Sequence, residues 1–349
     1  MTAQRETEVE AVMENTEVEA LRTLIAKMGI SWDELTGVAK ERRSTTFAEY
    51  VPKVAEAVSA ATARAYGPYW RRVVAEWGDR CLHELSASDI KHFAWSMKQQ
   101  AVTRRNSRAG RSAVEHCISA LRCVYAHAVA DGLIEEGNNP ARRVAKPRRQ
   151  VTTRRALSDS QLAELNRVAA STGNDPMLDT LILRLHTETA CRRGGALSLR
   201  RRDLDVEQSL LLLREKGETV RWQPVSPTLM AHLLAHSEER GDGAAEGQVL
   251  RYASGVPITQ RRYDHVWFRL GRYLSWVHTQ QVTTHWLRHT TLTWVERHFG
   301  YAVAREFAGH CSGSGETGAT ATYVRAGLGE VARALAALTG EAHPLAAGR

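Results

Sequence analysis

Apolar residues three and four apart dominate this chain, so helices are predicted along most of its length. Between Thr45 and residue 136 the spacing gives four. FAEYVPKVAEAVS opens behind Thr45 or Thr46. ATARAYGPYWRRVVAEWG sets Tyr66, Trp70, Val73, Val74 and Trp77 at helical spacing. SASDIKHFAWSMKQQA carries a capping signal, Ser86 or Ser88 ahead of Asp89. RSAVEHCISALRCVYAHAVADG repeats Ala113, Cys117, Ala120, Leu121, Val124 and Ala128, and Gly132 closes it. Further on, LSDSQLAELNRVAAS follows a Ser158 cap. PMLDTLILRLHTETA is strongly apolar, and PTLMAHLLAHSEE adds another helix. RRYDHVWFRLGRYLSWV is expected to be one helix with Val266, Trp267, Leu270, Leu274 and Val277 inward. LGEVARALAALTG closes the series with Leu328, Val331, Leu335 and Leu338 on one stripe.

The pattern changes in two places. Residues 208–214 and 219–225 are β-like, with Glu215-Lys216-Gly217-Glu218 between them, so a hairpin is predicted. Residues 137–154, GNNPARRVAKPRRQVTTR, hold two prolines and six Lys or Arg with no apolar periodicity. They are expected to be a basic linker between a helical domain at 45–136 and a second domain at 155–349. Residues 1–44 form an acidic extension. A helix from about Glu8 to Met28 with Val12, Leu21, Leu24 and Ile25 on one stripe is expected, ended by Gly29. Ser31-Trp32-Asp33 can cap a short second one.

Composition narrows the class. A chain of 349 residues, 43% hydrophobic and 25% charged, is an ordinary globular protein with room for two domains. No apolar run approaches the ~20 residues of a membrane span, and no export signal is visible, so a cytoplasmic location is expected. The five cysteines form no CxxC pair and are expected to be reduced thiols. The net charge of +8 suggests a polyanionic partner. It is concentrated: residues 1–44 sum to −3, 45–154 to +8 and 155–349 to +3. Within the basic part, VTRRNSRAGRS carries Arg104, Arg105, Arg108 and Arg111. The linker carries Arg142, Arg143, Lys146, Arg148 and Arg149. These nine are candidates for DNA phosphate contact, though a solvated loop explains such a run as well.

Candidate chemistry gathers in Thr284–Ala326. His285 and Arg288, three apart, share one face of a helical turn and can offer two donors to an anion. Tyr323 stands among Ala, Thr and Gly, which give a core aromatic little to pack against. It is a nucleophile candidate. His285 and His289 have the spacing of a zinc-binding helix, but Trp286 stands where a catalytic Glu would be. His289 is expected to be a buried structural hydrogen-bonder. Lys216 is the one lysine in residues 147–349, against 25 arginines. A general acid must give up its proton. Lysine can when its pKa is lowered, and arginine effectively cannot.

Three stretches together resemble the tyrosine recombinase, or phage integrase, family. They are Thr189-Ala190-Cys191-Arg192 with Ala196–Arg200 and Asp203–Asp205; Lys216-Gly217 with Arg221 and Pro224; and His285-x-x-Arg288-His289 with Ala308-Gly309-His310 and Tyr323. The resemblance covers residues 45–340, with the specific motifs in the second half. The AGH…GATATYVRA wording looks most like integrases of actinobacterial phages and integrative elements. It implies a mainly α fold with a small β-sheet or hairpin in the catalytic domain. The expected architecture is a two-domain C-shaped DNA clamp, a helical (SAM-like) core-binding domain plus an α+β catalytic domain. It implies cleavage of one strand of double-stranded DNA through a 3′-phosphotyrosyl bond, with no cofactor and no metal. It also implies a tetramer on DNA that is a monomer free in solution, and accessory DNA-bending or directionality factors.

By the same resemblance Tyr323 is the nucleophile, Lys216 the general acid and His285 the general base. Arg192, Arg288 and His310 bind the phosphate. Arg193, beside Arg192, is a rival for its role. The helix at 328–339 is expected to dock on the adjacent protomer. Two departures stand out. An acidic residue usually follows three after the first arginine and buttresses the site, but here that position is Gly195. The stretch between His310 and Tyr323 is long and holds three glycines. Tyr252, Tyr263, Tyr273, Tyr301 and Trp222 are expected to be packing residues. A strand relaxer of the type IB topoisomerase kind and a catalytically inactive DNA-binding regulator remain the alternative readings.

Overall fold

The computed structural model describes residues 27, 45–101, 110–148, 154–215, 219–241, 243–309 and 326–346. The chain divides into two compact units, Met1–Gln150 and Val151–Arg349.

The first unit is helical: α1 (Phe47–Ala57), α2 (Ala60–Trp77), α3 (Ala87–Gln100) and α4 (Arg111–Ala130). The expected caps form. Thr46 with Glu49, and Ser86 with Asp89, make reciprocal capping boxes that satisfy N–H groups the first turn leaves unpaired. The apolar stripes meet in one core of Phe47, Trp70, Val73, Ile90, Leu121 and Val124. Its buried polar tips are paired. The Trp70 indole N–H donates to the Ala120 carbonyl at 3.0 Å and the Tyr125 hydroxyl to the Leu82 carbonyl at 2.8 Å.

The expected linker begins later than residue 137. Asn139 caps a one-turn helix, α5 (Pro140–Arg143), with proline at its first position. Ala141 and Val144 lie in the core of the first unit, and Arg122 donates to both their carbonyls at 3.2 and 2.7 Å. Two apolar positions among many charges are too few to show as periodicity, yet they suffice to fasten the segment.

The second unit holds α6 (Asp159–Ser171), α7 (Pro176–Thr189) and α8 (Arg193–Ser198). A three-stranded antiparallel sheet follows, β1 (Leu204–Asp205), β2 (Leu210–Glu215) and β3 (Thr219–Pro224), in that spatial order. Then come α9 (Pro227–Arg240), α10 (Gln260–Tyr273), α11 (Ser275–Gln280), α12 (Thr284–Phe307) and α13 (Leu328–Thr339). The mainly α class with one small sheet is therefore as expected. The single helix expected over 261–277 is two, because Leu274 is extended (φ −120°, ψ 101°). Helix α12 breaks at Gly300, whose φ of 82° only glycine adopts without strain.

Helix α7 is the centre of this unit. Leu178, Ile182 and Leu185 pack on the sheet and α9, and Leu183 packs towards α10 and α12. Its buried Asp179 accepts from Arg262 at 2.7 Å and pairs with Arg269. Helix α13 lies on its own unit, with Val331, Ala332, Ala334 and Leu335 buried against α7, α12 and β3. Its alanines let it approach the unit closely, and its short apolar stripe is satisfied there. Among the described residues no helix is long and apolar enough to cross a membrane.

Candidate active site

The site starts where α7 stops. Ala190 takes the left-handed conformation (φ 50°) and turns the chain back on itself. A non-glycine residue there is sparsely populated and needs support. His186, fully buried one turn earlier, supplies it. Its Nδ1 bonds the Cys191 carbonyl and its Nε2 the Tyr263 hydroxyl, both at 3.0 Å. Donation from Nδ1 to the carbonyl leaves Nε2 to accept from Tyr263, so the ring is neutral. Burial holds its pKa down to about 4.

That shift has a sign. The unfolded chain binds a proton near pH 6.5 that the folded unit refuses until about pH 4. The stabilisation is complete above pH 6.5 and is lost as pH falls towards 4. The second unit is expected to lose roughly 3 kcal/mol over that window from His186 alone. Urea unfolding at pH 7 and pH 4.5 checks this, and equal stabilities would contradict it.

The turn delivers Arg192 to the head of α8. Its backbone N–H and its Nη1 both donate to the Glu215 carboxylate, the second at 2.9 Å. Glu215 ends β2 with its side chain fully buried, and Arg221 Nε, from β3, lies 3.6 Å from the same carboxylate. Arg221 also donates to the Thr189 carbonyl at 3.3 Å, and burial lowers its pKa. It passes so close to Gly309 that a Cβ there would lie 2.4 Å from its Cδ. With φ of 64°, position 309 requires glycine on both counts.

Arg288 closes the cluster from the first turns of α12. It is buried and donates to the carbonyls of Ala190 and Ala308, the latter at 2.7 Å. Burial, then the charge of Arg192, pulls its pKa down to about 10, which leaves it charged at neutral pH. His285, one turn earlier, is more open. Partial burial and the nearby Arg154, Arg288, His289 and Arg192 lower its pKa, so the ring is neutral near pH 7 and able to take a proton. His289 is half-buried with Nδ1 3.0 Å from the Thr293 hydroxyl, a structural bond as expected though less buried. Among the described residues no group of three metal-ligating side chains gathers around it.

Of the expected catalytic set, the structure brings together Arg192, Arg288 and His285. Lys216, His310 and Tyr323 lie outside the described residues, as do Arg104, Arg105, Arg108, Arg149 and, apart from residue 27, the 8–28 helix. Their described neighbours converge on the site: Glu215 precedes Lys216, Gly309 precedes His310, and Ala326 shares a core cluster with Ala190. Arg193 is the rival that turns aside, 4.0 Å from Asp264 of α10. Glu215 and Arg221 carried no role in the sequence reading. Four successive leucines hide the strand's period of two; in the structure Leu211, Leu213 and Glu215 share the buried face.

Other expectations need correction. Trp222 is 43% exposed on the outer face of β3, and Tyr273 and Tyr301 are 61% and 62% exposed. Each lies where its element turns a face to solvent. Tyr263 is buried as expected. In the first unit Arg111, Arg142, Arg143, Lys146 and Arg148 are exposed. Arg142 pairs with Glu136, however, and Arg143 donates to the Gly137 carbonyl. A cavity of about 1390 Å³ opens elsewhere in the second unit, lined by α6, α7, α9, α12 and α13, and holds none of the candidate catalytic residues.

Two guanidinium groups, those of Arg192 and Arg221, thus meet one buried carboxylate, and a third, Arg288, is held close by on two backbone carbonyls. Such a net positive, preorganised cluster is built to receive an anion, and its forks suit the non-bridging oxygens of a phosphate.

Residues 155–325 match the phage integrase family, and the chain belongs to that family through its second unit. The family is that of the tyrosine recombinases, which are DNA strand-transferring enzymes. The chain is 24% identical over 244 residues to the tyrosine recombinase XerC of Pelobacter propionicus, spanning 69% of this chain and 76% of that protein. It is 23% identical over 220 residues to XerD of Lacticaseibacillus casei, spanning 61% and 73%. Its fold matches a lambda integrase tetramer bound to a Holliday junction, with TM-score 0.59 and 15% identity over 86% of this chain and 88% of that one. It also matches the Tn1549 transposon integrase in complex with circular intermediate DNA, with TM-score 0.60 and 17% identity over 80% and 98%.

Proposed function

We propose that this protein is a site-specific recombinase that cuts and rejoins double-stranded DNA through a 3′-phosphotyrosyl intermediate. Its role is to integrate or excise a mobile element or phage, acting as a tetramer on its DNA sites in the bacterial cytoplasm. The observation that carries this reading is the gathering of three guanidinium groups in one place, Arg192 and Arg221 on the buried Glu215 carboxylate and Arg288 on the Ala190 and Ala308 carbonyls beside them. A phosphoryl-transfer transition state gathers negative charge on oxygens that such forks grip.

In this reading Arg192 and Arg288 hold the scissile phosphate, with His310 as a further donor. Tyr323 attacks phosphorus, and His285, neutral at working pH, accepts its proton. Lys216 gives a proton to the departing 5′-oxygen. The bond energy is kept in the phosphotyrosyl link, so strand rejoining needs no high-energy cofactor. The basic segments of the first unit bind the flanking backbone through Arg104, Arg105, Arg108, Arg111, Arg148 and Arg149, together with Lys146. Arg142 and Arg143 hold internal partners and contribute less.

The test is covalent trapping. Suicide substrates built from DNA flanking the protein's own gene are mixed with protein in excess EDTA and run on a denaturing gel. A shifted band that survives denaturation is expected, since no metal takes part. Tight DNA binding with no band on any flanking sequence would favour the DNA-binding regulator, and a band that requires added divalent metal would sink the mechanism.

A further inference from the structure

We infer that Glu215 is the residue that positions Arg192 for strand cleavage, standing in from strand β2 for the acidic side chain absent at position 195. The inference rests on the recombinase reading and says which group completes that site in this chain.

Three observations carry it. Glu215 spends its whole carboxylate on the site: Oε1 takes the Arg192 backbone N–H, and Oε2 takes Arg192 Nη1 at 2.9 Å with Arg221 Nε at 3.6 Å. It is a fully buried anion, and two neighbouring cations match it. Finally, the space it fills belongs equally to position 195. A Cβ on Gly195 would lie 3.1 Å from Glu215 Cγ and 3.4 Å from Glu215 Oε1. A side chain at 195 and the side chain of Glu215 therefore compete for one volume. A side chain grown from residue 195 would start against the Glu215 side chain and its carboxylate. The acid has moved from the helix to the facing strand, and the glycine makes room for it.

The consequence is specific. The main-chain bond fixes where Arg192 leaves the α7–α8 turn, and the Nη1 bond fixes the roll of its guanidinium. Two cations that would otherwise repel each other are held side by side. Glu215 touches no reacting atom and acts through Arg192, although Lys216 is its neighbour in sequence.

Adduct formation is measured in single turnovers for the wild type, Glu215→Ala, Glu215→Gln and the double variant Gly195→Glu/Glu215→Ala. Each is assayed on DNA with a 5′-oxygen and with a 5′-sulfur leaving group. Glu215→Ala is expected to slow cleavage roughly 10- to 100-fold, the range for residues that orient a catalytic group, with DNA affinity little changed. Glu215→Gln keeps the shape without the charge and should fall between. The double variant should recover most of the loss, which a generic packing defect would not allow. The defect should persist with sulfur, which departs without a proton. A defect that disappears on the sulfur substrate would assign Glu215 to Lys216 and overturn the inference. So would wild-type rates in Glu215→Ala, or a double variant that folds or cleaves no better than Glu215→Ala. If Glu215→Ala does not fold, the double variant decides alone, by folding and cleaving or not. A wild type that forms no adduct at all would instead count against the recombinase reading.

Discussion

Replacing Arg288 by alanine is expected to abolish detectable cleavage and to loosen the second unit. The two losses have different origins. The guanidinium donates to the buried carbonyls of Ala190 and Ala308, the latter at 2.7 Å. Without it both acceptors lose a partner, at about 1–3 kcal/mol each. Those carbonyls belong to the turn that precedes Arg192 and to the end of α12, so these two segments lose their common tie. The transition state also loses a preorganised cation, and a single donor of this kind is worth roughly 100- to 1000-fold. Together a fall beyond about 1000-fold is expected, with an unfolding midpoint several degrees lower. Arg288→Lys should restore little, because a compact ammonium lacks the extended planar fork that reaches two separate carbonyls and a phosphate at once. Single-turnover cleavage and thermal unfolding measure the two effects separately. An alanine variant that cleaves within tenfold of the wild type would refute the placement of Arg288.

Tyr323→Phe is expected to remove the covalent adduct completely while DNA affinity stays within a few-fold. The substitution deletes one hydroxyl, and no other group in the set can form a phosphotyrosyl bond. The exposed Tyr273 and Tyr301 make the test discriminating, since both offer accessible hydroxyls in the same unit. Phenylalanine at either should leave the adduct intact. Trapping on a denaturing gel reads all three variants. A band from Tyr323→Phe that is absent from Tyr301→Phe or Tyr273→Phe would move the nucleophile to that residue.

Much of this was legible in the order of residues. Helical spacing and capping residues gave the helices, because both are local: Thr46 finds Glu49 and Ser86 finds Asp89 whatever the rest of the chain does. The hairpin was legible from two β-like runs on either side of a short polar turn containing glycine. So were Arg192, His285 and Arg288, since a site of fixed chemistry demands fixed residue types at recognisable spacings. Expectations failed where solvent exposure decides. Trp222, Tyr273 and Tyr301 are large aromatics that residue type alone assigns to packing, but which face an element turns outward depends on what packs against it.

The sequence by itself determined the mainly helical class, the second unit's membership of the phage integrase family, and which residue types are available for phosphate chemistry. The tertiary structure decided how those residues are held. It seated α13 on its own unit, drew Ala141 and Val144 into the first core, and chose Arg192 over Arg193. It also supplied Glu215 opposite Gly195. The physical reason is distance along the chain. Caps and turns are settled within four residues, whereas a buried carboxylate meets its guanidinium across 23 residues. Only the packing of β2 against α8 brings the two together.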